Sequence, residues 1–286
     1  MSDLILNVLP VGLREYLGIF DLNGIEEIRL RAMKKVILYY GKKAGELVTD
    51  YVVTDAELKE ALDYITTFSL YAFEEDIRQG FITIRGGHRV GIAGKVVREN
   101  GKIKTISNIS SINIRISHQV IGCGERALEY IKDDKSVHNT LIVSPPGVGK
   151  TTLLRDLLRL VSNKLKLKVS IVDERSEIAS CYKGLASNDV GIRTDIYDCC
   201  PKVEGIMLMI RAMSPQVVAV DEIGGSDDVE ALVRAKHAGI RLMATIHGDC
   251  IEDIRDDTRI FDRYIFLDNN EDREMRVFDK HFNRIA

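Results

Sequence analysis

The spacing of hydrophobic residues divides the chain into two parts with different predicted secondary structure. In the first part, "IEEIRLRAMKKVILYYGKK" alternates apolar and polar residues, which predicts half-buried strands. The segment "TDAELKEALDYITTFSL" has helical spacing, with Thr54 as its N-cap and Glu57 completing a capping-box pattern. Residues 80–120 predict several strands joined by Gly and Asn-Gly turns. An α+β domain is therefore predicted.

After residue 139 the pattern changes to an alternation of apolar strands and helices. Strands are predicted at 139–144, 168–173, 216–222 and 240–247, and helices at 150–165, 203–213 and 227–238. The middle strands are continuously apolar, which is typical of a mainly parallel sheet with helices on both faces. A hairpin with an acidic turn is predicted at 264–279. The second part is therefore predicted to be an α/β domain.

The two patterns meet at residues 121–138, which predict a linker with a short helix. We therefore predict an N-terminal α+β domain at 1–120, with subdomains at about 1–50 and 51–120 as one option. The α/β domain is predicted at 139–286. A chain of 286 residues with 45% hydrophobic content can fill the cores of two such domains.

Composition narrows the classes of function. A net charge of −3 and a pI near 6.1 provide no global electrostatic reason to bind nucleic acid. Neither a transmembrane helix nor a signal peptide is predicted, because the chain has no long apolar run and no basic N-terminal start. The five cysteines form no C-x-x-C pair, which favours a reduced cytosolic protein without disulfides or zinc.

The segment "SPPGVGKTT", residues 144–152, follows a predicted strand and begins a predicted helix, which is the setting of a phosphate-binding P-loop. Gly147 and Gly149 allow backbone N–H groups to approach phosphate oxygens, Lys150 can reach the β- and γ-phosphates, and Thr151 can bind Mg²⁺. Ser144 stands where the first glycine of the pattern is expected. The predicted cofactor-binding residues are Ser144, Pro145, Pro146, Gly147, Val148, Gly149, Lys150, Thr151 and Thr152.

Acidic and polar residues follow three other predicted strands. Asp221 and Glu222 follow "VVAV", where Asp221 can hold Mg²⁺ through water and Glu222 can deprotonate the attacking water. Such a pair alone could also cap a helix. Two more strands end in polar groups, namely Asp173, Glu174 and Glu177 in one case and Thr245 and His247 in the other. Because the carboxyl ends of parallel strands share one sheet edge, these groups predict one site.

In this order, "LIVSPPGVGKTT", "VDERSEI", "IRAMSPQVVAVDEIGG" and "ATIHGD" resemble the Walker A, Asp-box, Walker B and His-box motifs of the secretion-superfamily ATPases. That family drives type II and type IV secretion and type IV pili. Its sporulation branch, from endospore-forming bacteria, is similar in "GFITIRGGHRVGIAGKVV" and "SSINIRIS" as well. The resemblance runs from about Ile25 to the C-terminus. It implies a RecA-like P-loop NTPase core.

The resemblance also implies roles for individual residues. Lys150 and Thr151 match Walker A, Asp221 and Glu222 match Walker B, Glu174 and Glu177 lie in the Asp box, and His247 is the His box. The family uses arginines of the N-terminal domain that reach the γ-phosphate. Arg115 in "NIRIS" resembles one, and Arg85 or Arg89 in "IRGGHRVG" is the candidate for another, although arginines on exposed strands are common.

The implied function is Mg²⁺-dependent ATP hydrolysis by a homohexamer with nucleotide between its subunits. The implied place is the mother-cell cytoplasm at the forespore-facing membrane, where a membrane-anchored partner would couple hydrolysis to a secretion-like channel. Two alternatives stay open. A nucleic-acid-dependent NTPase is disfavoured by the mild acidity and the absence of Trp, and a nucleotide-switched scaffold without turnover is disfavoured by the pair Asp221-Glu222.

Overall fold

The computed structural model describes residues 2–22, 24–41, 45–69, 73, 77, 80–99, 101–268 and 274–286. The chain divides into two compact units, Met1–His118 and Gln119–Ala286. Among the residues that the structure describes, no helix combines the length and the apolar character needed to cross a lipid bilayer.

The first unit is an antiparallel six-stranded sheet with helices. Its helices are α1 (Ser2–Leu6), α2 (Val11–Leu17) and α3 (Asp55–Ile65), and its strands are β1 (Glu27–Arg31), β2 (Lys35–Tyr39), β3 (Glu46–Val52), β4 (Phe81–Ile84), β5 (His88–Glu99) and β6 (Lys102–Arg115). The strand order is β3-β2-β1-β6-β5-β4. One buried cluster joins sheet residues such as Ile28 and Ile114 to Leu13 and Leu58 of the helices.

Helix α3 begins as the sequence predicts. The N–H of Glu57 donates to Thr54 Oγ1 over 3.2 Å, and the N–H of Thr54 donates to Glu57 Oε2 over 2.8 Å. These two bonds form the predicted capping box, which satisfies donors that a helix N-terminus leaves unpaired. Local sequence therefore determines where this helix starts.

The second unit is a seven-stranded sheet covered on both faces. Its helices are α4 (Glu125–Ile131), α5 (Lys150–Asn163), α6 (Lys202–Ala212) and α7 (Ser226–His237), and its strands are β7 (Lys132–Asp133), β8 (Ser136–Val137), β9 (Thr140–Ser144), β10 (Val169–Asp173), β11 (Thr194–Asp198), β12 (Val217–Val220), β13 (Arg241–His247), β14 (Arg263–Leu267) and β15 (Met275–Asp279). The order is β11-β10-β12-β13-β9-β14-β15, with β7 and β8 paired separately.

Alternate residues of the central strands point to opposite faces of this sheet. Ile142 of β9 packs in one buried cluster with α4 and α5, whereas Leu141 and Val143 pack in another with α6 and α7. Within the seven-stranded sheet the described strand pairs are parallel except the hairpin of β14 and β15. The predicted α/β fold of the RecA-like P-loop type, with helices on both faces, is confirmed.

Two segments of the second unit differ from the sequence-based picture. Residues 121–138, predicted as a linker with a short helix, do contain that helix as α4, but its Ala127, Leu128 and Ile131 are buried in the core beside α5, so the segment packs as part of the second unit. Strand β11 was not predicted, because its sequence "TDIYD" at the edge of the sheet lacks a continuous apolar run. The turn predicted inside the last hairpin lies at residues 269–273, outside the described residues.

Candidate nucleotide-binding site

The P-loop connects β9 to α5, as the sequence predicts. Gly147 and Gly149 have φ angles of +77° and +119°, in the left-handed region that glycine adopts most readily. Gly149 is the N-cap of α5, and no side chain caps this helix. The backbone N–H groups of its first turn can therefore donate to an anion, helped by the positive end of the helix dipole.

Ser144 fits its position without requiring glycine. It is the last residue of β9, is almost completely buried, and pairs with His247 of β13. Its hydroxyl donates to the carbonyl oxygen of Pro145 over 2.9 Å. Ser144 is not among the residues with positive φ, so a Cβ atom is accommodated here. The departure from the glycine pattern therefore leaves the loop conformation intact.

A cavity of about 410 Å³ opens beside the P-loop, and we call it the P-loop cavity. Its lining residues are Pro146, Gly147, Gly149, Lys150, Thr151, Thr152, Arg175, Glu177, Asp221, Glu222 and His247. Three residues of the predicted binding loop, Ser144, Pro145 and Val148, are not part of this lining. The structure thus brings together residues from four strand ends at one edge of the sheet, as expected for this architecture.

Asp221 lies at the base of the P-loop cavity and is buried. Thr151 Oγ1 lies 3.4 Å from each of its carboxylate oxygens. The hydroxyl of Thr245 donates to Asp221 Oδ1 over 2.8 Å, which holds the carboxylate in this orientation. A hydroxyl and a carboxylate are hard oxygen donors of the kind that Mg²⁺ binds together with water and phosphate oxygens, so this pair fits the ion.

Lys150, His247 and Glu222 form a chain of contacts along the cavity. Lys150 Nζ lies 2.9 Å from His247 Nδ1, and His247 Nε2 lies 3.3 Å from Glu222 Oε2. Because an ammonium group can only donate, Nδ1 accepts in this arrangement and Nε2 faces the carboxylate. Burial lowers the pKa of Lys150, while Glu222, Asp221 and Glu177 oppose that shift. The cavity therefore offers a polyanionic ligand a partly desolvated cation, the ammonium group of Lys150.

The loop after β10 separates two predicted site residues. Glu177 lines the P-loop cavity, but Glu174 does not. Glu174 instead pairs with Lys202 and lines a second cavity of about 360 Å³, which α6 and α7 also border. Of the two Asp-box glutamates, only Glu177 is therefore placed where it can act on a ligand of the P-loop.

Three arginines predicted to contact phosphate lie in the first unit. Arg115 ends β6, where it pairs with Glu27 of β1 and with Arg89 of β5. The Arg89 guanidinium carbon lies 5.3 Å from the ring centroid of Phe81, and Arg85 is exposed in the turn between β4 and β5. None of the three is among the described lining residues of the P-loop cavity. Their contact with phosphate stays a prediction.

One cavity residue was missed by sequence reasoning. Arg175 lines the cavity, and its Nη1 lies 3.5 Å from Glu222 Oε2. It stands in "DERSE" between the acidic residues that did attract attention, so an available signal was its position in the loop after β10. Two supporting residues, Asp173 and Arg155, lie behind the same loop. Both residues form hydrogen bonds with the backbone of this loop, and neither lines the cavity.

The family model for sporulation stage III, protein AA matches residues 2–284. The chain belongs to this family. Among its relatives is stage III sporulation protein AA of Bacillus subtilis (strain 168), which is 42% identical over 276 residues, covering 92% of this chain and 89% of the relative. The sequence resemblance to the sporulation branch of the secretion ATPases is thereby confirmed.

Solved structures show the same fold at low sequence identity. The ATPase DotB of Yersinia pseudotuberculosis superposes with a TM-score of 0.61 and 14% identity, covering 94% of this chain and 78% of that chain. The pilus retraction motor PilT with bound ADP gives a TM-score of 0.59 and 14% identity, covering 89% and 78%. This member of the sporulation stage III protein AA family therefore shares the fold of the ATPase DotB and of the pilus retraction motor PilT.

Proposed function

We propose that this protein hydrolyses ATP with Mg²⁺ in the P-loop cavity. The observation that carries the proposal is that one cavity contains Lys150, the pair Thr151 and Asp221, and Glu222. Each group has a place in phosphoryl transfer to water. The ADP bound to the structurally similar motor PilT supports nucleotide as the ligand class.

The role of each residue follows from the chemistry of its side chain or backbone. The first-turn N–H groups of α5 and Lys150 bind phosphate oxygens, while Thr151 and Asp221 hold Mg²⁺. When bound, Mg²⁺ neutralises the charge that develops on the phosphate oxygens. Glu222 accepts the proton of the attacking water, and His247, in contact with both Lys150 and Glu222, orients the carboxylate. Glu177 and Arg175 complete the polar wall.

The direct test is phosphate release by the purified protein. We expect Glu222→Gln to retain ATP binding and to reduce turnover at least about 100-fold, because general bases typically contribute that much. We expect Lys150→Ala to weaken binding as well. The matched controls are Glu204→Gln on α6 and Lys164→Ala after α5, both outside the cavity.

Each of the two alternative functions predicts a different outcome. Wild-type turnover no faster than that of Glu222→Gln would leave ATP binding without catalysis, as in a nucleotide-switched scaffold. Turnover that appears only with single-stranded DNA would instead support a nucleic-acid-dependent NTPase. The control variants Glu204→Gln and Lys164→Ala should match the wild type in ATP binding and in phosphate release.

We further propose that hydrolysis powers a secretion-like channel during endospore formation. Family membership supports the sporulation setting. The fold shared with secretion and pilus ATPases supports a motor that acts in the mother-cell cytoplasm through a membrane-anchored partner at the forespore-facing membrane. In an endospore-forming host, Glu222→Gln should reduce heat-resistant spores at least about tenfold while protein levels stay equal. Normal spore counts would contradict a need for hydrolysis.

The proposed assembly is a homohexamer in which Arg115, with Arg85 or Arg89, reaches nucleotide bound by a neighbouring subunit. Its test is the mass in solution with and without Mg-ATP. We expect a sixfold mass with nucleotide, together with a loss of turnover in Arg115→Ala that does not change ATP binding. A monomer under all conditions would remove both the hexamer and the arginine contact in trans.

A further inference from the structure

The loop at residues 174–179, which delivers Glu177 to the P-loop cavity, is held from one side by Asp173. Asp173 ends β10 and has no exposed surface. Its Oδ1 accepts the N–H of Glu177 over 2.8 Å, and its Oδ2 accepts the N–H groups of Ile178 and Ala179 over 2.9 and 2.8 Å. One carboxylate therefore satisfies three consecutive backbone donors of the loop.

From the other side the same loop is held by Arg155, which is 8% exposed. Its Nε donates to the carbonyl oxygen of Ile178, and its Nη2 donates to that of Glu177, both over 2.6 Å. Asp173 and Arg155 thus bind both the N–H and the C=O of Glu177 and of Ile178. Most rotations of the loop backbone would therefore break a charge-assisted hydrogen bond.

Arg155 also connects the loop to the P-loop. It stands four residues after Thr151 on α5, so the two side chains lie on the same side of the helix. Thr151 faces Asp221 in the cavity, while Arg155 reaches the backbone of Glu177. A shift of α5 would therefore move Glu177 and the predicted Mg²⁺ ligands together.

We propose that Asp173 and Arg155 are positioning residues that set Glu177 in the P-loop cavity. This inference rests on the proposed function, in which the cavity hydrolyses ATP. Neither residue lines the cavity, so their effect reaches it through Glu177. The pair raises the turnover number and leaves ATP affinity nearly unchanged, because ATP is held by the P-loop itself.

Asp156 offers a matched control for a merely structural role. Like Asp173 it is a buried aspartate, and its Oδ2 accepts the N–H of Gly124 over 2.7 Å. It pairs with Arg159 rather than with the loop of Glu177. Asp156→Asn and Asp173→Asn make the same chemical change in a buried carboxylate, but only the second removes acceptors from residues 177–179.

The experiment combines hydrogen exchange with steady-state kinetics. In Asp173→Asn, the one remaining carbonyl oxygen cannot accept three N–H groups, so we expect amide exchange of residues 177–179 to rise at least about tenfold without nucleotide. We expect kcat for ATP to fall about 30-fold and KM to change less than about twofold. Arg155→Met should act in the same direction. Asp156→Asn should leave exchange at 177–179 and kcat within about twofold.

A double-mutant cycle separates positioning from general destabilisation. If Asp173 acts through Glu177, Asp173→Asn should lower kcat less than about twofold in a Glu177→Gln background. Fully multiplicative losses, or unchanged exchange in both Asp173→Asn and Arg155→Met, would overturn the inference while leaving ATP hydrolysis standing. If the wild type does not hydrolyse ATP, the proposed function fails, and the exchange data alone decide whether these residues hold the loop.

Discussion

Asp173 and Asp221 are two buried aspartates at the carboxyl ends of neighbouring parallel strands, yet their carboxylates have different partners. Val172 of β10 pairs with Val220 of β12, so each aspartate follows a matched position in the sheet. Asp221 accepts the hydroxyl of Thr245 and one backbone N–H, from Glu222, and faces Thr151, whereas Asp173 accepts three backbone N–H groups. Residue type and strand position are the same, and only the surroundings differ.

This difference is consistent with the proposed roles, in which Asp221 binds a cation and Asp173 does not. A hydroxyl beside Asp221 can rotate and share its oxygen with Mg²⁺, so the carboxylate can exchange partners. The N–H groups around Asp173 belong to a folded loop, and a cation would have to break several of them at once. Substitutions at the two aspartates and their neighbours test this division between cation binding and loop support.

Asp221→Asn should reduce ATP turnover about 1,000-fold, because it removes the charge that, in the proposed function, holds Mg²⁺ beside the phosphates. The Mg²⁺ concentration needed for half-maximal turnover should rise at least about tenfold. Both are measured by phosphate release in a Mg²⁺ titration. Asp173→Asn serves as the comparison and should leave the Mg²⁺ midpoint unchanged. Equal shifts of the midpoint in the two variants would contradict the assigned division.

Thr245→Val should lower turnover about tenfold, since it removes a donor to Asp221 and one of two acceptors of the Glu222 N–H, which lies 3.0 Å from Thr245 Oγ1. Valine keeps the buried volume, so the protein should remain folded. Thr245→Ser keeps the hydroxyl and should retain most of the activity. Similar losses in both variants would show that packing, rather than the hydroxyl, supports Asp221.

Protonation offers a further test of Asp173. Burial raises the pKa of its carboxyl from 3.8 to about 6, an effect that Asp198 and Asp221 increase and that N–H groups of the loop oppose. The folded state therefore binds this proton more tightly than the unfolded state. The contribution of Asp173 to the free energy of unfolding should fall as pH rises from about 4 to about 6, by about 3 kcal/mol, and stay constant above.

Asp173→Asn cannot titrate at this position. The difference in the free energy of unfolding between wild type and this variant, measured by denaturant titration, should therefore change across that pH window. The two pH profiles would run parallel if the Asp173 carboxyl had an ordinary pKa.

Ser144→Gly should have the smallest effect. It restores the glycine of the usual P-loop pattern at a position whose φ angle does not need it. We expect turnover within about twofold of wild type and a loss of about 0.5–1 kcal/mol in the free energy of unfolding, because glycine is more flexible in the unfolded chain. A large gain in turnover would instead show that Ser144 impairs the loop.

The parts of this protein that the sequence alone predicts are those with short-range physical causes. The capping box of α3 depends on two residues three positions apart. The P-loop depends on Gly147 and Gly149 at set distances from Lys150, between an apolar strand and a helix. The strands β9, β10 and β12 are buried at every position and are mostly apolar because both faces of the sheet are covered. The predicted fold class follows from these patterns.

Tertiary structure decided which polar residue turns towards which partner. The sequence placed Glu174 and Glu177 together, but the path of the loop sends one to Lys202 and the other to the P-loop cavity. The partners of Asp173 are also set by that path, because its N–H donors lie in a turn rather than in a regular element. The reach of Arg155 from α5 to the backbone of Glu177 spans 22 positions in the chain. Such contacts form only when segments distant in the sequence pack together, so no local sequence pattern predicts them.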